Sequence, residues 1–119
     1  MSYIVSLLNQ ILAGFIIKTL LLFGGSAYAG AAPANQSFST GLAAGGGAVA
    51  LRDSSGAIVD SVGYGDAVNA FVEAHPTTAP PATAAPGSSA VRLPDGHDTN
   101  DNAADFSVSS SPTPGSSNH

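Results

Sequence analysis

With 119 residues the chain has room for one small domain, and with no cysteine it excludes disulfides, thiolate chemistry and Cys-ligated zinc. Eight acidic against three basic residues give a formal charge of −5, which repels a phosphate backbone and makes nucleic acid an unfavourable partner. Charged residues are 9% of the chain, against roughly 25% in ordinary globular proteins, and the scarcity of Glu, Lys and Gln biases it toward strands and loops.

Met1 to Phe23 is the most apolar stretch, but Asn9, Gln10 and Lys18 interrupt it, so no stable membrane span is expected. Ala27-Tyr28-Ala29 offers a signal-peptide cleavage pattern ending at Ala29. The competing reading makes Leu20 to Phe23 a buried strand ending in a Gly24-Gly25-Ser26 turn, with a helical or irregular segment before it. Gly30 to Gly47 is a turn-rich connection, with Phe38 and Leu42 as its anchors and Asn35-Gln36-Ser37 as a chance match to a glycosylation acceptor. Gly45-Gly46-Gly47 lacks the Lys-Ser or Lys-Thr of a phosphate loop and reads as the bend leading into a hairpin.

That hairpin is the clearest local signal. Val49 and Leu51 alternate with Ala48, Ala50 and Arg52 at the period of a half-buried strand. Asp53-Ser54-Ser55-Gly56 then supplies a tight turn with Gly56 at positive φ, and Ala57 to Tyr64 returns. Asp60 falls on the Ile58 and Tyr64 face, where an inward carboxylate needs a partner. Asp66 to Ala74 is a short mixed segment anchored by Phe71. His75 to Ser89 holds four of the eight prolines and reads as a stiff surface connection that cannot pair centrally in a sheet. Ser88 to Leu93 alternates Val91 and Leu93 around Arg92, Pro94-Asp95-Gly96 turns, and residues 109–119 read as a flexible tail.

Ligand-type side chains concentrate in Asp95, Asp98, Asn100, Asp101, Asn102 and Asp105. Asp98, Asn100 and Asn102 have the spacing of the first three ligands of a calcium loop. Ala103 then stands where an EF-hand needs glycine and Ser109 where it needs glutamate, which excludes that motif. Asp98, Asn100, Asn102 and Asp105 remain candidates for an irregular calcium site. The structural alternative is a loop knitted by Asp and Asn side chains accepting from backbone N–H groups. No catalytic constellation emerges. His75, His97 and His119 are scattered, no serine lies in G-x-S-x-G, and no apolar pocket is visible to split the pKa values of paired carboxylates. Arg92 is the natural partner for Asp60 or Asp105.

The segments GGGAVALRDSSGAIVDSVGYG (45–65), SSAVRLPDGHDTNDNAADF (88–106) and PTPGSSN (112–118), preceded by LFGGSAYAG (22–30), resemble the carboxy-terminal portion of a lamin-tail domain of the bacterial, secreted-protein kind. The resemblance implies an all-β, immunoglobulin-like antiparallel sandwich over residues 19–108, incomplete at its N-terminal edge because the family's opening half is not visible. It favours the strand over the signal peptide at Leu20 to Phe23, and leaves residues 1–18 without a clear role. It implies no catalytic residue and no required cofactor. Asp60, Gly63, Tyr64, Gly65, Ser89, Arg92, Asp98, Thr99, Asn102, Asp105 and Phe106 match recurring positions and are implied to be scaffold: turn glycines, a buried ion pair and a knitted loop. The implied function is an interaction or accessory module of an extracellular or cell-surface protein. The alternatives are a calcium-stabilised surface module, or a fragment of an appendage to a secreted nuclease or phosphoesterase.

Overall fold

The structure, a computed structural model, describes residues 4–7, 10–12, 15–17, 21–25, 33–39, 41–81, 87–114 and 116–118. These residues are mainly strand with very little helix, so the chain is all-β, in small and mainly antiparallel sheets. β1 (Ile4–Leu7) pairs antiparallel with β4 (Leu21–Gly25), and β4 pairs parallel with β5 (Gln36–Phe38); β2 (Gln10–Leu12) and β3 (Phe15–Ile17) form a separate ribbon. A strand therefore does lie at Leu21–Gly25, and strands rather than helix occupy the described parts of the segment before it. Leu20 and the Ala27-Tyr28-Ala29 pattern lie outside the described residues.

The expected hairpin is present as β6 (Gly46–Arg52) and β7 (Ile58–Gly65), antiparallel with Val49 opposite Val62 and a bulge between Leu51 and Arg52. Its turn is built by Asp53, whose Oδ1 accepts from Ser55 N (2.8 Å), Ser55 Oγ (2.7 Å) and Ala57 N (3.0 Å), with Gly56 at φ +88°. β6 begins two residues before the Ala48 start that the side-chain alternation indicates, and β7 runs one residue past Tyr64. Gly46 and Gly47 belong to β6 rather than to a bend before it, because a side chain there would collide with what crosses the ribbon. A Cβ on Gly47 would lie 2.7 Å from the Tyr64 hydroxyl oxygen, and that hydroxyl donates to Ala43 O at 2.8 Å.

A second ribbon joins β8 (Ser89–Arg92) to β9 (Phe106–Ser109), with Arg92 opposite Phe106. Between them the acidic loop ends in a one-turn helix, α1 (Asn102–Asp105), capped by Asp101, which accepts from Ala103 N at 3.1 Å. The alternation expected around Arg92 holds only in part: Val91 is buried, whereas Leu93 is 36% exposed. β8 stops at Arg92, and the Arg92 side chain is more enclosed than Leu93.

One other expectation is corrected. Thr77, in the proline-rich connection, is 3% exposed and pairs with the hairpin: Thr77 N donates to Gly63 O (2.9 Å) and Gly65 N to Thr77 O (2.8 Å). Immediately after Pro76 the chain carries an N–H again at Thr77, so the connection begins as a one-residue bridge to Tyr64 of β7. In Asp66 to Ala74, Val72 covers Gly63, and the ring of Phe71 lies 5.4 Å from the guanidinium of Arg52 on β6. The tail returns to the body through Asn118, whose Nδ2 donates to Arg92 O at 3.0 Å.

Substituting Gly63 by Ala would bring the new Cβ to 2.4 Å from Val72 Cγ2 and 3.1 Å from Val72 Cα. Gly63→Ala should destabilise the protein by about 1–3 kcal/mol through overpacking, whereas Gly41→Ala, with nothing within 4 Å, should stay within about 0.5 kcal/mol. Denaturant titration of the two variants checks the contrast.

Candidate functional site

The described core is as polar as it is apolar. Tyr64, Ala67 and Val91 are its buried hydrophobic residues, alongside buried Ser61, Thr77, Asn102 and Asp105. A buried amide without partners costs several kcal/mol, so these groups stay buried only where their hydrogen bonds are made. Asn102 is 0% exposed. Its Oδ1 accepts from Gly63 N (2.8 Å) and Glu73 N (3.0 Å), and its Nδ2 donates to Ser61 O (3.0 Å) and Glu73 Oε2 (2.8 Å). Two acceptor sites and two donors are all that a carboxamide has, and all four are used.

The direction of these bonds explains the placement. Val62 and Tyr64 face β6 in the ladder, so the N–H and C=O groups of Ser61, Gly63 and Gly65 point to the other edge of β7. The Asn102 carboxamide takes Ser61 O and Gly63 N, and Thr77 takes Gly63 O and Gly65 N. One side chain and one backbone residue thus occupy the place of a neighbouring strand. The backbone of α1 is held on the connection that follows β7, with Asn102 N donating to Glu73 O and Ala103 N to His75 O, both at 3.0 Å.

Asp105, 1% exposed, closes the acidic loop. Its Oδ2 accepts from Thr99 N (2.9 Å) and its Oδ1 from Thr99 Oγ1 (2.7 Å). Burial pushes its carboxyl up, but the Thr99 N–H and hydroxyl, the Asp101 contact and the Arg92 charge together outweigh burial and hold it below the ordinary 3.8. Asp101 is also lowered, first by the hydrogen bond to the His75 ring, whose Nδ1 lies 3.1 Å from Asp101 Oδ2.

Arg92 is the cationic counterpart. Its Nη2 lies 2.9 and 3.1 Å from the two Asp60 oxygens, its Nη1 donates to His97 O (3.0 Å) and stands 3.4 Å from Asp98 Oδ1, and its guanidinium sits 4.6 Å from the Phe106 ring centre. The inward aspartate therefore finds Arg92, one of the two partners weighed for that arginine from sequence. Of the residues singled out by resemblance, Asp60, Arg92, Asp98 and Phe106 form this cluster, Gly63 meets Asn102, and Thr99 meets Asp105. Gly65 sits at φ +65° beneath Gly45 O, and Tyr64 crosses Gly47. Ser89 stands at the start of β8, with its Oγ buried and without a hydrogen bond among the described residues.

The calcium candidates spend their hydrogen bonds on different partners. Asn102 and Asp105 face different partners on opposite ends of α1, Asn100 N donates to Asp98 Oδ1 (3.0 Å), and the Arg92 guanidinium already lies beside Asp98. Among the described residues no group of three or more His, Asp or Glu is placed to hold a metal ion. Sequence reasoning passed over Glu73, Ser61 and Thr77. Glu73 carried a signal, being the only glutamate in the chain, set in an otherwise uncharged stretch. A shallow open depression of about 380 Å³ is lined by Ala67, Val68, Asn69, Val72, Ala74 and Pro76, none of them titratable. Among the described residues no helix is long and apolar enough to cross a membrane. Comparison of the chain with models of known protein families, with curated proteins and with solved structures finds no match in any of the three.

Two outcomes follow from this network. Asn102→Ala strands Gly63 N, Glu73 N and Ser61 O in a buried site, and should cost about 3 kcal/mol or more, read by denaturant titration. Glu73 gives the second. Burial first, then the charges of Asp98 and Asp60, push its carboxyl above the ordinary 4.5 despite hydrogen bonds from Ser61 and Asn102. The folded state then binds this proton more tightly than the unfolded chain, so the contribution is absent well above the raised pKa and complete below 4.5. Glu73→Gln should raise the melting temperature at pH 7, and the advantage over wild type should vanish as the pH falls below about 4.5. The lowered Asp105 works in the opposite sense, its stabilisation being present above 3.8 and lost as acid titrates it.

Proposed function

We propose that this chain is a non-catalytic interaction or accessory module of an extracellular protein, built as an immunoglobulin-like β-sandwich of the lamin-tail kind. An appendage to a secreted nuclease or phosphoesterase is one form this reading takes. The observation that carries it is how the acidic loop spends its polar atoms. Asn102 and Asp105, at 0% and 1% exposure, are turned inward onto backbone N–H and C=O groups and a threonine hydroxyl. A catalytic carboxyl needs a face toward substrate and a pKa matched to its task, whereas Asp105 is held ionised with no such face. The inward-turned Asn102 and Asp105 are in keeping with the scaffold role that the lamin-tail resemblance implies for them.

The sandwich reading draws support from the ties between the two ribbons. Asp60 of β7 reaches Arg92 of β8, and Thr77 Oγ1, against β7, donates to Phe106 O of β9 at 3.3 Å. The calcium-stabilised alternative has no comparable support, since a guanidinium beside Asp98 repels a cation.

Solution NMR of the full chain tests this directly. Side-chain contacts between the facing surfaces of β6–β7 and β8–β9 are expected, along with background turnover on phosphoester and peptide model substrates. Ribbons lying side by side in one sheet would contradict the sandwich. Turnover that Asp98→Ala abolishes while the protein stays folded would contradict the non-catalytic reading.

A further inference from the structure

The two edges of the β6–β7 ribbon are treated differently. The β7 edge is closed by Asn102 and Thr77. On β6, Gly47, Val49 and Leu51 face β7, so the N–H and C=O groups of Gly46, Ala48 and Ala50 point outward, and among the described residues no strand pairs with them. Such an edge accepts another strand by backbone hydrogen bonding. Its central residues are small and uncharged, which lets a second strand approach closely.

The ends of this edge identify the occupant. Gly46, Ala48, Ala50 and Arg52 lie on one face of β6. The exposed Arg52 stands at one end of that face, with one of its five N–H donors given to Gly56 O and, among the described residues, its guanidinium otherwise meeting the Phe71 ring. At the other end the Asp66 carboxylate occupies the position of the missing Gly46 side chain, with its Oδ1 where a Cβ would stand, and Asp66 is exposed. The edge thus carries a positive charge at one end and a negative charge at the other, on the same face.

We propose that two copies of this chain pair antiparallel along their β6 edges, about a two-fold axis through Val49. That register sets Ala48 of each copy against Ala50 of the other, with mutual backbone hydrogen bonds, and Val49 against Val49. It also sets Arg52 of each copy against Gly46 of the other, and so beside the Asp66 carboxylate over that glycine. Directly opposed residues on one face sit about 5 Å apart at Cβ, within reach of an arginine. A register shifted along the strand breaks both ion pairs. The arrangement is isologous, so each edge is used once and the assembly closes as a dimer. It does not depend on the lamin-tail reading.

Sedimentation velocity on the full chain over a wide concentration range tests the proposal. A monomer–dimer equilibrium is expected, weakened by added salt. Ala50→Pro removes one outward N–H without touching the ladder to β7, and should give a folded monomer by circular dichroism. Arg52→Asp and Asp66→Arg should each weaken the dimer by roughly tenfold or more, and the double reversal should restore it. A wild-type monomer at every concentration, an open-ended series of larger species, or a double reversal no stronger than either single change would overturn the proposal. If Ala50→Pro fails to fold, the charge reversals decide alone.

Discussion

The carboxamide of Asn102 is the constraint on which the rest of the described fold depends. A two-stranded ribbon is at best marginally stable in water, and the second edge of β7 would present unpaired N–H and C=O groups to the interior. Asn102 supplies an acceptor to Gly63 N and a donor to Ser61 O, as a neighbouring peptide group would, and ties the same two atoms to Glu73. With Thr77 beside it, this one side chain stands in for a neighbouring strand. That role makes the position intolerant, because aspartate would lose the donor and place a second negative charge against Glu73.

Everything around Asn102 serves to hold it there. The Asp101 cap and the Thr99–Asp105 bonds fix the single turn of α1 that presents it, and Glu73 O and His75 O anchor that turn by its first two N–H groups. Gly63 must lack a side chain so that Val72 can lie over the ribbon at the same point. Arg92 joins the second ribbon to the first through Asp60, with side-chain exposures of 12% and 22% that make the pair partly desolvated and dependent on both partners. Specific hydrogen-bond geometry here does work that apolar burial does in a core with more buried hydrophobic residues.

The parts of this fold legible in the sequence are those whose causes are local. The hairpin follows from alternation over a few residues and from a turn that Asp53 and Gly56 build without outside help. The Asp60–Arg92 pair was within reach because three basic residues leave an inward aspartate few partners. The role of Asn102 was not legible, since its partners lie 29 to 41 residues away and nothing in D-N-A-A-D distinguishes a knot in the core from a calcium loop. Its oxygen turns out to accept amide protons, a fact that depends on where Gly63 arrives. Thr77 was missed for the opposite reason: the prolines around it describe the connection truthfully as a whole, but they do not forbid one extended residue from bridging an edge. Leu93 was given a buried place by alternation, yet the strand ends one residue earlier and its neighbour Arg92 takes the enclosed position.

Native-state amide hydrogen exchange, followed residue by residue on the full chain, tests the central role of Asn102 most directly. If the carboxamide closes the β7 edge, Gly63 N, bonded only to its side-chain oxygen, should exchange as slowly as the ladder amides of Val62 and Tyr64 and open with them in one cooperative unit. Exchange at Gly63 as fast as in the exposed 53–56 turn, with Val62 still protected, would show that the edge is open and that Asn102 does not hold it.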